Sequence, residues 1–447
     1  MKVERRGCVG QSEAVSQLSC DRRKVQVQTK PFAITKWEVQ AAWEKVKANK
    51  GGAGIDGVTL EGFEVNLKDN LYKIWNRLSS GSYFPPPVKA VSIPKKSGGE
   101  RILGIPTISD RVAQMVIKER LEPMVEPHFL DDSYGYRPGK SAIDAIGITR
   151  QRCRYYDWVL EFDIKGLFDN IRHDLLMTAV EKHVNSDKFS EFSWLILYIK
   201  RWLVAPLQQE DGELLQRDNG TPQGGVASPL LANLFLHYVF DKWMQKYFAS
   251  LKWCRYADDG LVHCRSLKQA QYLLNQLRGR FRSCGLELHP EKTKIVYCKD
   301  EKRTEEHEHT SFDFLGYTFR RRRCRNMADN TFFVSFSPAV SLTALKAMRQ
   351  TIRKLKVRQK SQYSLEEIAR WLNPIIRGWI TYYGQFRRSA LDPLFRHINK
   401  TLVRWARRKF KTLKRHKSRA IDFFDRLSKR HSQLFVHWQF GSARAFA

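Results

Sequence analysis

Three aspartates carry the chemistry that this sequence offers. Asp163 closes an apolar run, Trp158-Val-Leu-Glu-Phe-Asp163, and Asp258-Asp259 interrupt a second one, Lys252 to His263. Brought into one place, three carboxylates repel one another by several kcal/mol at short range. Such a cluster calls for divalent cations, and oxygen ligands without His or Cys suit magnesium. Two such ions ~3.5–4 Å apart can activate a hydroxyl and stabilise a leaving phosphate in an in-line displacement. In a strongly basic protein this combination reads as nucleotidyl transfer. Asp131-Asp132 is the same dipeptide without a strand around it, and it is assigned no role.

The elements that must hold these carboxylates are strands. Trp158 to Ile164 reads as one, and Lys252 to His263 as a hairpin with Asp258-Asp259 at its turn. Between them lies Gly220-Thr-Pro-Gln-Gly-Gly-Val-Ala-Ser-Pro229, followed by a helical run from Leu230 to Tyr247. Upstream, Trp37, Val39, Ala42, Trp43 and Val46 recur at helical spacing. A glycine-rich loop, Gly51 to Gly57, follows, and composition alone makes it flexible. Val88 to Ile93 and Arg101 to Ile105 predict a hairpin around Lys95 to Gly99, with a helix from about Asp110 to Val125. Strands alternating with helices imply an α+β core. Past about Ser337 the pattern turns helical. Ser364-Leu-Glu-Glu367 is a capping box, and Pro374 predicts a helix break. Residues 1 to about 31 read as a mobile tail.

The 447 residues carry 78 Lys+Arg against 46 Asp+Glu, a formal net charge of +32. Residues 320–447 hold 31 of those basic side chains and only 6 acidic ones, and Arg404 to Arg419 holds nine basic residues in sixteen. A field this strong suits a polyanion, nucleic acid above all. No apolar run is long enough to span a membrane, and no secretory signal opens the chain. Eight scattered cysteines without a C-x-x-C pair fit a reducing compartment rather than a zinc ribbon. His307-Glu308-His309 lies in a charged stretch and reads as a solvated loop.

Tyr256-Ala-Asp-Asp259 resembles the catalytic signature of reverse transcriptases. Phe162-Asp-Ile-Lys-Gly-Leu-Phe-Asp-Asn-Ile171 and Thr221-Pro-Gln-Gly-Gly-Val-Ala-Ser-Pro-Leu-Leu-Ala-Asn233 resemble palm motifs of the group II intron-encoded members. Arg101-Ile-Leu-Gly-Ile-Pro106, Ser133-Tyr-Gly-Tyr-Arg-Pro-Gly-Lys-Ser141, Gly285-Leu-Glu-Leu-His-Pro-Glu-Lys-Thr-Lys294 and Phe312-Asp-Phe-Leu-Gly316 fit the same group. Leu372-Asn-Pro-Ile-Ile-Arg-Gly-Trp-Ile-Thr-Tyr-Tyr383 is similar to its maturase domain. The resemblance runs from about Trp37 to Trp405, with the motifs in order. It implies an α+β right-hand polymerase: a tail (1–31), fingers and palm (32–305), an α-helical thumb or maturase domain (306–403) and a basic DNA- or RNA-binding region (404–447).

The resemblance also implies residue roles. Asp163, Asp258 and Asp259, with the Ile164 backbone carbonyl, would hold two Mg2+ ions. Phe168 would act as a steric gate under the sugar of the incoming dNTP. Lys95 and Arg101 would grip its triphosphate, and Gln223 would lie near the nucleotide and template. Lys292 matches the proton donor to pyrophosphate, with Lys294 a competing candidate. Gly51 and Gly54 fall in a loop that contacts template RNA in the family. Arg137, Arg377, Arg387, Arg404 and Arg407 would bind template or intron RNA. Trp371, Trp379, Tyr382 and Tyr383 either track a duplex or pack helices, and packing is favoured for the two tryptophans.

The activity implied is RNA-directed DNA synthesis on the parent group II intron RNA during retrohoming, with a maturase role in splicing. RNA template, DNA primer and target DNA are the expected partners, without a membrane. The chain is expected in the bacterial cytoplasm, associated with nucleoid or ribonucleoprotein, as monomer or homodimer. No Cys and His cluster follows Cys324, so the chain resembles the shorter class without a zinc-supported endonuclease. Two alternatives stay open: a host-adopted relative in DNA repair or defence, and an RNA-binding splicing cofactor that does not polymerise.

Overall fold

The computed structural model describes residues 30–94, 99–185, 190–326 and 328–440. In chain order the strands are β1 (Val88–Pro94), β2 (Glu100–Ile105), β3 (Trp158–Asp163), β4 (Leu207–Gln208), β5 (Leu214–Leu215) and β6 (Lys252–Tyr256). They continue with β7 (Asp259–Cys264), β8 (Lys294–Tyr297), β9 (Ser311–Phe314), β10 (Tyr317–Arg325) and β11 (Phe332–Val340). Three sheets result, ordered β2-β1-β4-β5, β6-β7-β3-β8 and β11-β10-β9.

The second sheet is covered on both faces, so its strands read as nearly unbroken apolar runs. Trp158, Leu160 and Phe162 point into one core with the helices Ser228–Leu236 and Leu267–Ser283. Val159, Leu261 and Val296 point into another with Phe312, Phe319 and Phe336 of the third sheet. A third core belongs to the C-terminal helices Leu342–Lys354, Leu365–Arg387, Asp392–Lys409 and Lys417–Arg430.

Local signals start the helices where the sequence predicts. Thr35 with Glu38, and Ser364 with Glu367, form capping boxes that satisfy otherwise orphan N–H groups. Val39, Ala42, Trp43 and Val46 are buried as their spacing requires, whereas Trp37 is exposed. Phe32 is already docked, its N–H donating to the Ser79 carbonyl at 3.1 Å. The rest of the predicted tail, residues 1–29, lies outside the described residues.

Two expectations are corrected. Helix Leu365–Arg387 runs through Pro374 without ending. Leu372 and Ile376, on either side, are buried in the C-terminal core, and Asn373 bonds to the Leu434 carbonyl and the Val436 N–H at 2.9 and 3.0 Å. Tertiary packing thus outweighs the proline penalty. The segment 306–403 also opens on the β9–β11 sheet, and helix begins only at Leu342. Five arginines in β10 obscure the strand alternation there.

Candidate active site

Strand register brings two of the three carboxylates face to face. In the antiparallel β3–β7 pair Asp163 stands opposite Asp259, and cross-strand neighbours of this kind have Cβ atoms about 5 Å apart. Asp258 lies in the turn between β6 and β7, just after Ala257, whose φ of +56° is a left-handed conformation for a residue with a side chain. The neighbouring glycines make room: a Cβ at Gly135 would strike the Ala257 backbone, and one at Gly260 would strike the Phe162 ring.

Electrostatics show how much the cluster lacks a counter-charge. Burial, and then the charges of Asp258 and Asp163, push Asp259 up to about 7. Burial also raises Asp258, with Asp163 adding to the shift and Arg101 and Lys292 opposing it. The Lys292 ammonium donates to Asp163 Oδ2 and supplies the nearest positive charge. Among the described residues no three metal-ligating side chains close around one point. The donors are all carboxylate oxygens, which fits a hard divalent cation.

Glu161 was not singled out from the sequence. It sits two residues before Asp163, hence on the same face of β3, and burial pushes it up to about 7 against the pull of Lys294 at 3.3 Å. With Asp163, Asp259, Lys292, Lys294 and Asp313 it lines a cavity of about 280 Å³. Lys294 therefore serves Glu161, while Lys292 is the lysine on Asp163.

A second feature absent from the sequence reading lies beneath the Asp258 turn. Arg255 is fully buried and paired with fully buried Asp241 through Nε (2.8 Å) and Nη2 (2.6 Å). Its other N–H groups reach Asn233 Oδ1 (3.0 Å), Ser133 Oγ (2.8 Å) and the Ala257 carbonyl (3.3 Å). Asn233 in turn donates to the Gly135 carbonyl at 2.5 Å. Asp241 ends a π-helical segment, His237–Asp241, an irregularity that frequently marks functional sites. The Tyr-Ala-Asp-Asp turn thus rests on a buried ionic floor.

The other expected site residues separate into groups. Gln223 and Gly224 lie against β2: the Gly104 N–H donates to the Gln223 carbonyl at 2.7 Å, and a Cβ at Gly224 would come 2.5 Å from the Gly104 carbonyl oxygen. Arg101 is exposed on β2, close enough to act on Asp258; Lys95 lies outside the described residues. Phe168 is half-buried, and its carbonyl accepts from the Thr221 N–H at 2.7 Å. Ile164 is buried and bridges to Leu288.

Gly51 and Gly54 make tight packing contacts. Arg111 fills the space where a Gly51 side chain would stand, and Thr107 Cα would lie 2.6 Å from a Cβ at Gly54. The loop is thereby pinned to the start of helix Ile108–Val125, against the expectation of a flexible one. Arg137 is engaged within the protein by Glu126 (2.8 Å) and the Leu130 and Ser133 carbonyls (2.6 and 2.8 Å). Only 6% of its side chain is exposed, which argues against the expected RNA contact.

Arg377 and Arg404 are exposed, Arg387 donates to the Arg323 carbonyl at 2.9 Å, and Arg407 donates to the Lys414 carbonyl at 3.2 Å. Tyr382 and Tyr383 pack on Tyr317, with ring centroids 5.8 and 5.5 Å away, joining the maturase-like helix to the third sheet. Trp379 packs against the C-terminal core, as the packing reading expected, whereas Trp371 is 37% exposed beneath the Lys360 ammonium. His307 stacks edge-on against Trp158 and Tyr297, 4.5 Å from each, so it is packed and not merely solvated.

The chain is similar to known proteins over most of this architecture. The profile described as reverse transcriptase (RNA-dependent DNA polymerase) matches residues 93–319. That described as group II intron, maturase-specific domain matches residues 345–421. Protein YkfC of Escherichia coli (strain K12) is 31% identical over 335 residues, which are 65% of this chain and 81% of YkfC. Group II intron-encoded protein LtrA of Lactococcus lactis subsp. cremoris is 32% identical over 274 residues, 59% of this chain and 41% of LtrA. The putative COX1/OXI3 intron 1 protein of Saccharomyces cerevisiae is 25% identical over 328 residues, 62% of this chain and 37% of that protein. The chain thus spans most of YkfC and less than half of either intron protein.

The raised Asp259 has a consequence for stability. In the metal-free protein the folded state holds this proton more tightly than the unfolded chain, whose carboxyl titrates near 3.8. Its contribution therefore falls as pH rises from about 4 through about 7. Asp259→Asn is expected to be more stable than wild type at pH 8 in chelator, by up to about 4 kcal/mol, and to converge with it near pH 4. Denaturant melts across pH check this; a variant less stable at pH 8 contradicts it.

The ionic floor gives a separate expectation. Arg255→Met strands Asp241 and should cost about 3–5 kcal/mol. Arg255→Met with Asp241→Leu should regain much of that stability yet still incorporate nucleotides more slowly, because the Ala257 carbonyl has lost its donor. Wild-type turnover in the refolded double variant would contradict the positioning role.

Proposed function

Because the chain belongs to the reverse transcriptase (RNA-dependent DNA polymerase) family and carries a group II intron maturase-specific domain, we propose that it copies its parent intron RNA into DNA at Asp163, Asp258 and Asp259. The observation that carries this reading is the β3–β7 register, which sets Asp163 opposite Asp259 with Asp258 in the adjoining turn.

Family members use a divalent metal and dNTPs. Here the three aspartates, with the Ile164 carbonyl beside them, are the groups to hold two Mg2+ ions. Bound there, the ions would activate the primer hydroxyl and neutralise the departing pyrophosphate. The protein's own contribution is placement. Lys292, 55% exposed and in contact with Asp163, can swing toward the triphosphate and donate a proton to the leaving group. Arg101 fixes phosphate charge from the β2 side. The Gln223-Gly224 turn presents backbone without side-chain bulk to the nascent base pair. Phe168, whose carbonyl accepts from the Thr221 N–H, would gate the sugar of the incoming dNTP.

The maturase part supports the second half of the reading. Its helices expose Arg377 and Arg404 in a strongly basic segment, which suits the phosphates of the intron RNA whose splicing it assists. DNA primer and target DNA would join that RNA during retrohoming, in a bacterial ribonucleoprotein.

Primer extension on an RNA template with dNTPs and Mg2+ tests the proposal. Asp258→Ala should lower extension by about 10²- to 10³-fold or more, with RNA affinity within about twofold of wild type. Extension retained in that variant would refute the assignment.

A further inference from the structure

The ribbon formed by β10 and β11 is not accounted for by the catalytic site. Its inner half buries Phe319 and Phe336. Its outer half carries Arg320, Arg321, Arg322, Arg323 and Arg325 on one strand, paired across to Ser337, Phe336, Ser335, Val334 and Phe332. Phe332 is 57% exposed and Phe333 38%. Polar residues would serve better on a solvated edge, so two exposed rings beside five cations need a reason.

The positive charge is only slightly neutralised locally, by Glu306, which Lys299 holds and on which Arg321 also acts. Among the described residues none of the five arginines forms an ion pair with a carboxylate. The nearby acids are engaged elsewhere: Asp329 accepts from Thr331 within its own turn, Glu306 holds Lys299, and Glu301 accepts from the Val334 N–H. More cations crowd in. Arg387 donates to the Arg323 carbonyl. Burial, then the neighbouring charges of Arg320 and Arg387, push Arg322 down to about 10. Of the five, Arg322 is tied down by the Ser337 and Thr318 carbonyls, both at 3.1 Å, and Arg323 lies over the Phe332 ring at 4.1 Å.

We propose that this ribbon, with Arg387 beside it, is a docking surface for an unpaired RNA strand, distinct from the catalytic groove. By strand alternation Phe332 shares one face with Arg321, Arg323 and Arg325, whereas Phe333 looks to the other; on the first face the arginines supply contacts for successive phosphates and Phe332 a ring on which a base stacks, a combination that needs bases free of a duplex. RNA is favoured over DNA because Arg387 belongs to the maturase-specific segment; this step rests on the function proposed above.

The test uses the full chain and fluorescence anisotropy with labelled oligouridylate, beside an oligothymidylate of equal length. Phe332→Ala should weaken RNA binding at least about tenfold, since a stacked base contributes appreciably, and DNA binding by less than about threefold. Arg321→Gln, Arg323→Gln and Arg325→Gln together should reduce the log–log salt slope by about 2, at about 0.7 per phosphate on a single strand. All variants should extend a short annealed RNA–DNA hybrid within about twofold of wild type. RNA affinity and slope unchanged in both variants, equal loss on DNA, or a matching loss of extension would overturn the proposal. If a combined variant fails to melt cooperatively, Arg325→Gln alone, at the outer end, should lower the slope by about 0.7, and no change would count against the ribbon. Wild-type extension keeps the two readings apart: its absence would fail the polymerase assignment, whereas binding lost only in ribbon variants would support the surface.

Discussion

Like charge held at close quarters is the constraint around which this protein is built. β3, β6 and β7 converge on one turn that sets Asp163 opposite Asp259 with Asp258 beside them, near enough for the three charges to act on one another. Burial makes that convergence more costly, as the rise of Asp259 to about 7 shows. The repulsion is not a defect of packing. It creates a place where positive charge, and a cation most of all, lowers the free energy. Lys292 answers part of that charge at Asp163.

A site under such stress needs a rigid seat. Both faces of the palm sheet are packed, so β3 cannot twist away. The turn bearing Asp258 is held in an uncommon conformation at Ala257 and supported from below by Arg255, Asp241 and Asn233. A buried ion pair contributes little net stability compared with well-packed apolar groups. Its worth here is geometric, because the guanidinium ties Ser133, the helical run from Asn233 to Asp241 and its own hairpin together beneath one turn. On the β2 side glycines keep the geometry close, since the Gly224 turn and Gly104 approach as two bare backbones.

Much of this was legible in the sequence because it was locally encoded. The apolar run ending at Asp163, the Asp258-Asp259 turn and the capping boxes each declare themselves within a few residues. What escaped depends on contacts between distant segments. Arg137 looks like an RNA contact until Glu126 and two carbonyls are found around it. Arg255 and Asp241 are unremarkable as letters, since only folding buries both. Glu161 could have been found from the two-residue period of β3, which places it beside Asp163. Pro374 and the β9–β11 sheet were misread for one reason: tertiary packing overrides local preference, in a helix through its buried face and in a strand through the sheet beneath its arginines.

If Asp163, Asp258 and Asp259 hold Mg2+ as proposed, the cation must displace the proton that burial and like charge favour on Asp259. Calorimetric titration with Mg2+ in two buffers of different ionisation enthalpy tests this most directly. Near pH 7 wild type should release a fraction of a proton for each binding event, and that release should vanish above about pH 8.5 and in Asp259→Asn. Binding without proton release near pH 7, or the same release from Asp259→Asn, would contradict the account.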